Sequence, residues 1–110
     1  MARVLAVAPD LIFASRIDAT LTAAGHEVRL ADSISKAAES GGADVLVVDL
    51  DREPPDAAVG LGMPVLGFYS HVDVETRRRA EAAGLELVVP RSRMAREMPK
   101  LVERLLARPR

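Results

Sequence analysis

The sequence predicts an α/β domain in which five parallel strands alternate with helices on both faces of the sheet, the third helix short or missing. Three observations predict it. Short continuous apolar runs recur along the chain, segments of helical periodicity separate them, and the joining stretches are only a few residues long. Apolar runs without polar alternation are the pattern of strands buried on both faces. Strands joined through helices by short connections imply crossovers and a parallel sheet.

Val4-Leu5-Ala6-Val7 is the first such run. Phe13, Ile17, Leu21 and Ala24 then recur at helical spacing, and Gly25 stands where a left-handed cap ends a helix. His26-Glu27-Val28-Arg29-Leu30 alternates in the manner of a strand at a sheet edge. Ser33 is the N-cap candidate of a second helix that buries Ile34, Ala37 and Ala38 before Gly41-Gly42. Val45-Leu46-Val47-Val48 is the most apolar run, and it ends in Asp49-Leu50-Asp51, where Arg52-Glu53-Pro54-Pro55 stops regular structure. Only a turn or two of helix fits around Asp56 to Val59 before the fourth strand, Pro64 to Tyr69. Asp73 can cap a helix over Val74 to Ala83, which Gly84 ends before the fifth run, Leu87-Val88-Val89. Met94, Met98, Leu101, Val102, Leu105 and Leu106 put one apolar face on a last helix, which Pro99 either kinks or restarts.

The 110 residues are expected to form a single domain over 1–110, long enough to bury a core without staples. Apolar residues make up 49% and charged residues 28% of the chain, the balance of a globular protein rather than a disordered one. The absence of cysteine excludes disulfides, thiolate catalysis and cysteine-bound metal. The first apolar run stops at Pro9-Asp10, too short for a secretory segment or a membrane span, so a cytoplasmic location away from membranes is expected. Residues 91–110 carry seven Lys and Arg against two Glu, about +5, within a chain of net charge −1. A basic tail is a weak cue for an acidic partner. The end, Ala107-Arg108-Pro109-Arg110, reads as a stop or the start of a linker.

Five strands of this kind suit the flavodoxin-like order 2-1-3-4-5. Its functional crevice lies outside the carboxyl ends of the strands, at the switch point between the first and third. Ala8, Pro9, Asp10, Asp49, Leu50, Asp51, Tyr69, Ser70, Val89 and Pro90 are the residues placed there. The first turn, Ala8-Pro9-Asp10-Leu11, lacks the glycines of a phosphate-cradling loop.

At this point the chain resembles a response-regulator receiver domain, of the CheY-like superfamily, along nearly its whole length. Arg3 to Val7, with the helix that runs on to Ala23-Ala24-Gly25-His26-Glu27-Val28, is similar in spacing to that family's first βαβ unit. Asp44-Val45-Leu46-Val47-Val48-Asp49 looks like its third strand with the acceptor aspartate at the end. Glu75 through Arg79-Ala80-Glu81-Ala82-Ala83-Gly84 resembles its fourth helix, and Val88-Val89-Pro90 resembles the end of its fifth strand. The resemblance implies a phosphorylation site at Asp49, Mg²⁺ held by two carboxylates after the first strand, a Ser or Thr after the fourth and a Lys after the fifth. Those positions hold Ala8 and Pro9, Tyr69, and Val89. Asp10 and Ser70 each stand one residue too far along, and the planar fork of Arg91 is a poor substitute for an ammonium.

Without a metal and the lysine, nothing offsets the like charges that meet when a carboxylate attacks a phosphoryl donor. The expectation is therefore a degenerate, phosphorylation-independent receiver, a protein-interaction and signalling module without enzymatic activity or cofactor. The face formed by helix four, strand five and helix five, with Arg78, Arg91, Arg93 and Arg104, is its expected surface for a homodimer or a protein partner. One alternative is an atypical phosphoacceptor at Asp49 that needs Mg²⁺; another is a small-ligand binder at the switch-point crevice. Asp10, Asp49 and Asp51 are a weak candidate for a divalent site, against the plainer reading of solvated loop acids. Tyr69 is read as packing over the vacated crevice, and His26 and His71 as surface residues. Arg77-Arg78-Arg79 is read as a solvated face, because one Tyr, two Phe and no Trp leave little surface for stacking nucleic acid.

Overall fold

The computed structural model of the chain describes residues 2–70 and 74–107. The elements are β1 (Arg3–Val7), α1 (Leu11–Ala23), β2 (Glu27–Ala31), α2 (Ile34–Glu39), β3 (Val45–Asp49), α3 (Pro55–Val59), β4 (Val65–Tyr69), α4 (Val74–Ala83), β5 (Leu87–Pro90) and α5 (Arg91–Leu106). The sheet has the order β2-β1-β3-β4-β5, and every pairing is parallel. Its register sets Val4 beside Val28 and Val45, Leu46 beside Val65, and Leu66 beside Leu87. All four crossovers run through helices, as short connections between parallel strands require.

Side chains alternate across each strand, so the two faces of the sheet bury separate cores. On one face Val4, Ala6, Val45, Val47, Leu66, Phe68 and Val89 meet Phe13, Ile17 and Leu21 of α1 and Met94, Met98, Leu101, Val102 and Leu105 of α5. On the other, Leu5, Val7, Leu46, Val48, Leu50 and Val65 meet Ile34 and Ala37 of α2, Ala58 of α3 and Ala80 of α4. Each fully buried aliphatic side chain stabilises the fold by about 1.5–3 kcal/mol relative to exposure. The larger side chains of α5 make the first of these cores the bulkier.

Local signals explain the element ends. Gly25 adopts φ +95 just past α1, a conformation open to glycine at little cost. The Ser33 side chain accepts from the Lys36 amide and caps α2, while Glu53 reaches across from the β3–α3 loop to accept from the Ile34 amide. Pro55 opens α3 at the first helical position, and the helix ends five residues long at its C-cap, Gly60. Pro99 does not break the last helix, which runs through from Arg91 to Leu106; the flanking Met98, Leu101 and Val102 are buried and hold it against the sheet.

Five details differ from the sequence reading. His26 is buried, not exposed: it follows the turn at Gly25, and its amide donates to Leu21 O at 3.0 Å, which holds its backbone against the end of α1. Ala24 and Ala38, expected in the core, and Leu106, expected on the apolar face of the last helix, are exposed at or near helix ends. β2 is displaced by one residue, to Glu27–Ala31. The helix cap expected of Asp73 and the exposure expected of His71 lie outside the described residues. No helix among the described residues is long and apolar enough to cross a membrane.

Candidate functional site

The carboxyl ends of β1, β3, β4 and β5 converge on one side of the sheet. Asp49 is the last residue of β3, and only 3% of its surface is exposed. Its Oδ1 accepts the Asp51 amide at 2.9 Å, while its backbone carbonyl accepts the Arg52 and Glu53 amides at 3.2 and 3.0 Å. Burial pushes its pKa above the ordinary carboxylate value, and the nearby Asp51 charge pushes the same way. The Asp51 amide and the charges of Arg91 and Arg52 pull it back.

Asp51 faces the end of β4: its Oδ2 accepts both the Ser70 amide, at 2.9 Å, and the Ser70 hydroxyl. Asp10 sits at the end of β1 and is the N-cap of α1. Its Oδ1 accepts the amides of Ile12 and Phe13 at 3.0 and 3.3 Å. Its Oδ2 receives Arg91 Nη2 at 2.6 Å. The Phe13 amide, followed by Arg91 and the Ile12 amide, holds the Asp10 carboxyl below the ordinary value, against some desolvation.

Arg91, the first residue of α5, joins these pieces. One guanidinium nitrogen reaches Asp10, and Nη1 lies 3.4 Å from Ser70 Oγ. The guanidinium carbon stands 4.2 Å over the centre of the Phe13 ring and 6.0 Å from that of Phe68. The two rings pack at 5.0 Å and form an aromatic floor beneath the cation. A cation on such a floor gains about 0.5–2 kcal/mol.

The structure thus brings Asp10, Asp51, Ser70 and Arg91 into one hydrogen-bonded chain, with Asp49 tied to it through the Asp51 backbone. Ala8, Tyr69 and Val89 are buried and act as packing around the crevice. Arg91, expected on the outer face, instead turns its side chain toward the crevice, where Asp10 offers a charge and Phe13 a ring. Arg78 and Arg104 are exposed on α4 and α5, and Arg93 pairs with Glu97 at 3.3 Å along its own helix.

Sequence reasoning missed the roles of Arg91 and Phe13 and the capping by Asp10. An Asp directly before the apolar-periodic Leu11-Ile12-Phe13 is an N-cap signal that could have found the last. Nothing local signals the Asp10–Arg91 pair, which spans 81 positions.

A hard divalent cation needs several oxygen ligands around one point. Ala8 and Pro9 offer no side-chain oxygen, both oxygens of Asp10 are engaged, and among the described residues no three His, Cys, Asp or Glu side chains gather to hold a metal. The residues present do not fit Mg²⁺. A separate concavity of about 420 Å³ opens between α1 and α2, lined by Pro9, Leu11, Leu30, Asp32 and Lys36. It lies beside β1 and β2, not at the switch point between β1 and β3.

No family model matches the chain, and no curated protein matches it. Solved structures do. The receiver domain of HemR from Leptospira biflexa, in its non-phosphorylated form, superposes with a TM-score of 0.85 at 22% identity, over 100% of this chain and 98% of that one. Vibrio cholerae CheY4 gives 0.81 at 21% identity, over 96% and 99%. NtrX from Brucella abortus, in complex with ADP, gives 0.82 at 19% identity, over 96% of this chain. This chain spans only 27% of the length of NtrX. The chain has the fold of a response-regulator receiver domain. In that receiver fold Asp49 occupies the end of the central strand, flanked by β1 and β4, and the crevice around it is closed by the ion pair between Asp10 and Arg91.

Proposed function

We propose that this receiver-fold chain is a cytoplasmic signalling module that works by protein contact and independently of phosphorylation. The observation that carries the reading is the way the crevice satisfies itself. Asp10, Asp51, Ser70 and Arg91 take one another as partners, while Ala8, Pro9, Tyr69 and Val89, at the strand ends beside the one acid buried among the described residues, offer neither a carboxylate nor an ammonium. A nucleophile without preorganised positive charge lacks what is usually the largest catalytic contribution. The module therefore acts without catalysis and without Mg²⁺, and its surface does the signalling.

The surface proposed is the one formed by α4, the edge strand β5 and α5. Arg78 and Arg104 are exposed there, and the contact is made with a second copy or with a protein partner carrying acidic groups. Size-exclusion chromatography and partner pull-down test it: Arg78→Ala with Arg104→Ala weakens association, and unchanged behaviour of the double variant removes this face from the account.

A second reading has one specific observation in its favour. The Arg91 guanidinium is close enough to Asp49 for its charge to act on that carboxyl, and its Nη1 lies 3.4 Å from Ser70 Oγ, so an atypical phosphoacceptor would have a cation and a hydroxyl nearby. Incubation with acetyl phosphate and Mg²⁺, followed by intact mass, separates the two. A phosphoryl adduct that Asp49→Asn lacks establishes the second reading.

A further inference from the structure

We infer that two copies of this chain pair through the outer edge of β2, antiparallel about a two-fold axis, and join their sheets into one. β2 stands at one end of the strand order, with β1 its only neighbour among the described strands. The Glu27 amide donates to Ala2 O at 2.8 Å, and Ala31 O accepts from the Ala8 amide at 3.4 Å. Backbone polar groups turn to opposite sides at successive residues of a strand, so Glu27, Arg29 and Ala31 face β1 while the amides and carbonyls of Val28 and Leu30 turn outward. Such an edge is a template for another strand. The flanking helices leave it open. A concavity of about 420 Å³ runs across the edge from Leu11 of α1, past Leu30 and Ala31, to Lys36 and Ser40 of α2. Leu11 and Leu30 are 80% and 44% exposed, apolar surface beside the edge that a second copy would cover.

The charges on the strand identify the occupant and the register. Val28 packs against the core beneath α1 and Ala31 against the core beneath α2, which places Glu27 and Arg29 together on the α2 side of the strand. Both are exposed, and Arg29 Nη1 donates to Ser40 O at 3.0 Å, which holds the guanidinium beside the edge. Charged side chains on an edge ordinarily discourage pairing. Here their signs alternate so that one antiparallel register is attractive. With the two-fold axis at Val28, the outward groups of the two Val28 residues bond each other, and Glu27 of each copy stands opposite Arg29 of the other. These are non-hydrogen-bonded positions, where Cα atoms approach to about 4.5 Å and facing side chains interact most closely. Symmetry makes the match twice. An axis at Arg29 would instead set two guanidinium groups against each other, which disfavours that register. The α4–β5–α5 face lies at the opposite edge of the sheet, so pairing through β2 leaves it open to a protein partner on each copy.

Sedimentation equilibrium of the full chain tests the inference, with circular dichroism to confirm the fold of each variant. The wild type is expected to dimerise within concentrations up to about 1 mM. Glu27→Arg and Arg29→Glu are each expected to raise the dissociation constant at least about tenfold, because each sets like charges opposite one another at two positions. An equimolar mixture of the two single variants restores association, and so does Glu27→Arg combined with Arg29→Glu in one chain, since both return opposite charges to the facing positions. Restoration separates pairing between strands from loss of the Arg29–Ser40 contact within one copy. Leu30→Pro removes an outward amide that gives no bond to β1, and it weakens the dimer as well. Arg78→Ala with Arg104→Ala leaves the dimer intact, so failure of the α4–β5–α5 reading and failure of this one are distinguishable. A wild type that stays monomeric, a dimer indifferent to both charge reversals, or folded single variants that do not associate when mixed overturns the inference.

Discussion

Asp49 is an ionisable carboxyl at the end of a fully buried strand, and its burial makes the charged form unfavourable. A carboxyl whose folded pKa lies above its unfolded value penalises the fold once both states are ionised. The penalty is absent below the ordinary value of 3.8 and grows as pH rises from there through the folded pKa. Asp49→Asn is therefore expected to raise the melting temperature at pH 7 by a few degrees, with the gain shrinking toward pH 4; thermal melts at the two pH values check it. Asp10 works in the opposite sense: its folded pKa is lowered, so its contribution is present above 3.8 and is lost as pH falls through the folded value. His26 offers a second residue-scale test. Both of its ring nitrogens are buried without a hydrogen-bond partner among the described residues, and leaving such a group unsatisfied costs about 1–3 kcal/mol. His26→Phe, which fills the space with no polar atom, is expected to be neutral or to stabilise by about 1 kcal/mol in urea denaturation.

Among the elements, β4 depends on one small residue. A Cβ built on Gly67 would stand 2.7 Å from Leu50 Cδ1 and 2.9 Å from Leu85 Cδ2, so the core on the α3 and α4 side closes directly over the strand's backbone. Gly67→Ala is expected to destabilise by about 1–3 kcal/mol, and Gly67→Val by more, measured by denaturant unfolding. This is also the scale at which the sequence was most legible. β1, β3 and β4 announce themselves as apolar runs because both faces are covered, and α5 does so through a single stripe from Met94 to Leu105. Pro54-Pro55 announces the start of α3, and the few residues left before the fourth strand announce its shortness. The site was legible only in part. Asp49 could be placed from the end of its strand and Asp10 from its place just after the first, but the side chain of Arg91 depends on a charge and a ring supplied at α1, far away in sequence. The burial of His26 was hidden for a similar reason: alternation in a short edge strand does not say what the preceding helix end covers.

At the scale of the whole molecule, the receiver fold keeps its sheet order and both cores while the polar groups at its strand ends pair with one another. The two properties are separable because the cores need only apolar fit, whereas reactivity at Asp49 needs ligands at defined points around it. Under the reading proposed above, signalling rests on the surface of the module, while the Asp10–Arg91 pair ties the end of β1 to the start of α5. The most direct measurement is the intact mass of the wild type and Asp49→Asn after incubation with acetyl phosphate and Mg²⁺. The account predicts unchanged, identical behaviour of the two proteins, and a gain of one phosphoryl group in the wild type alone would contradict it.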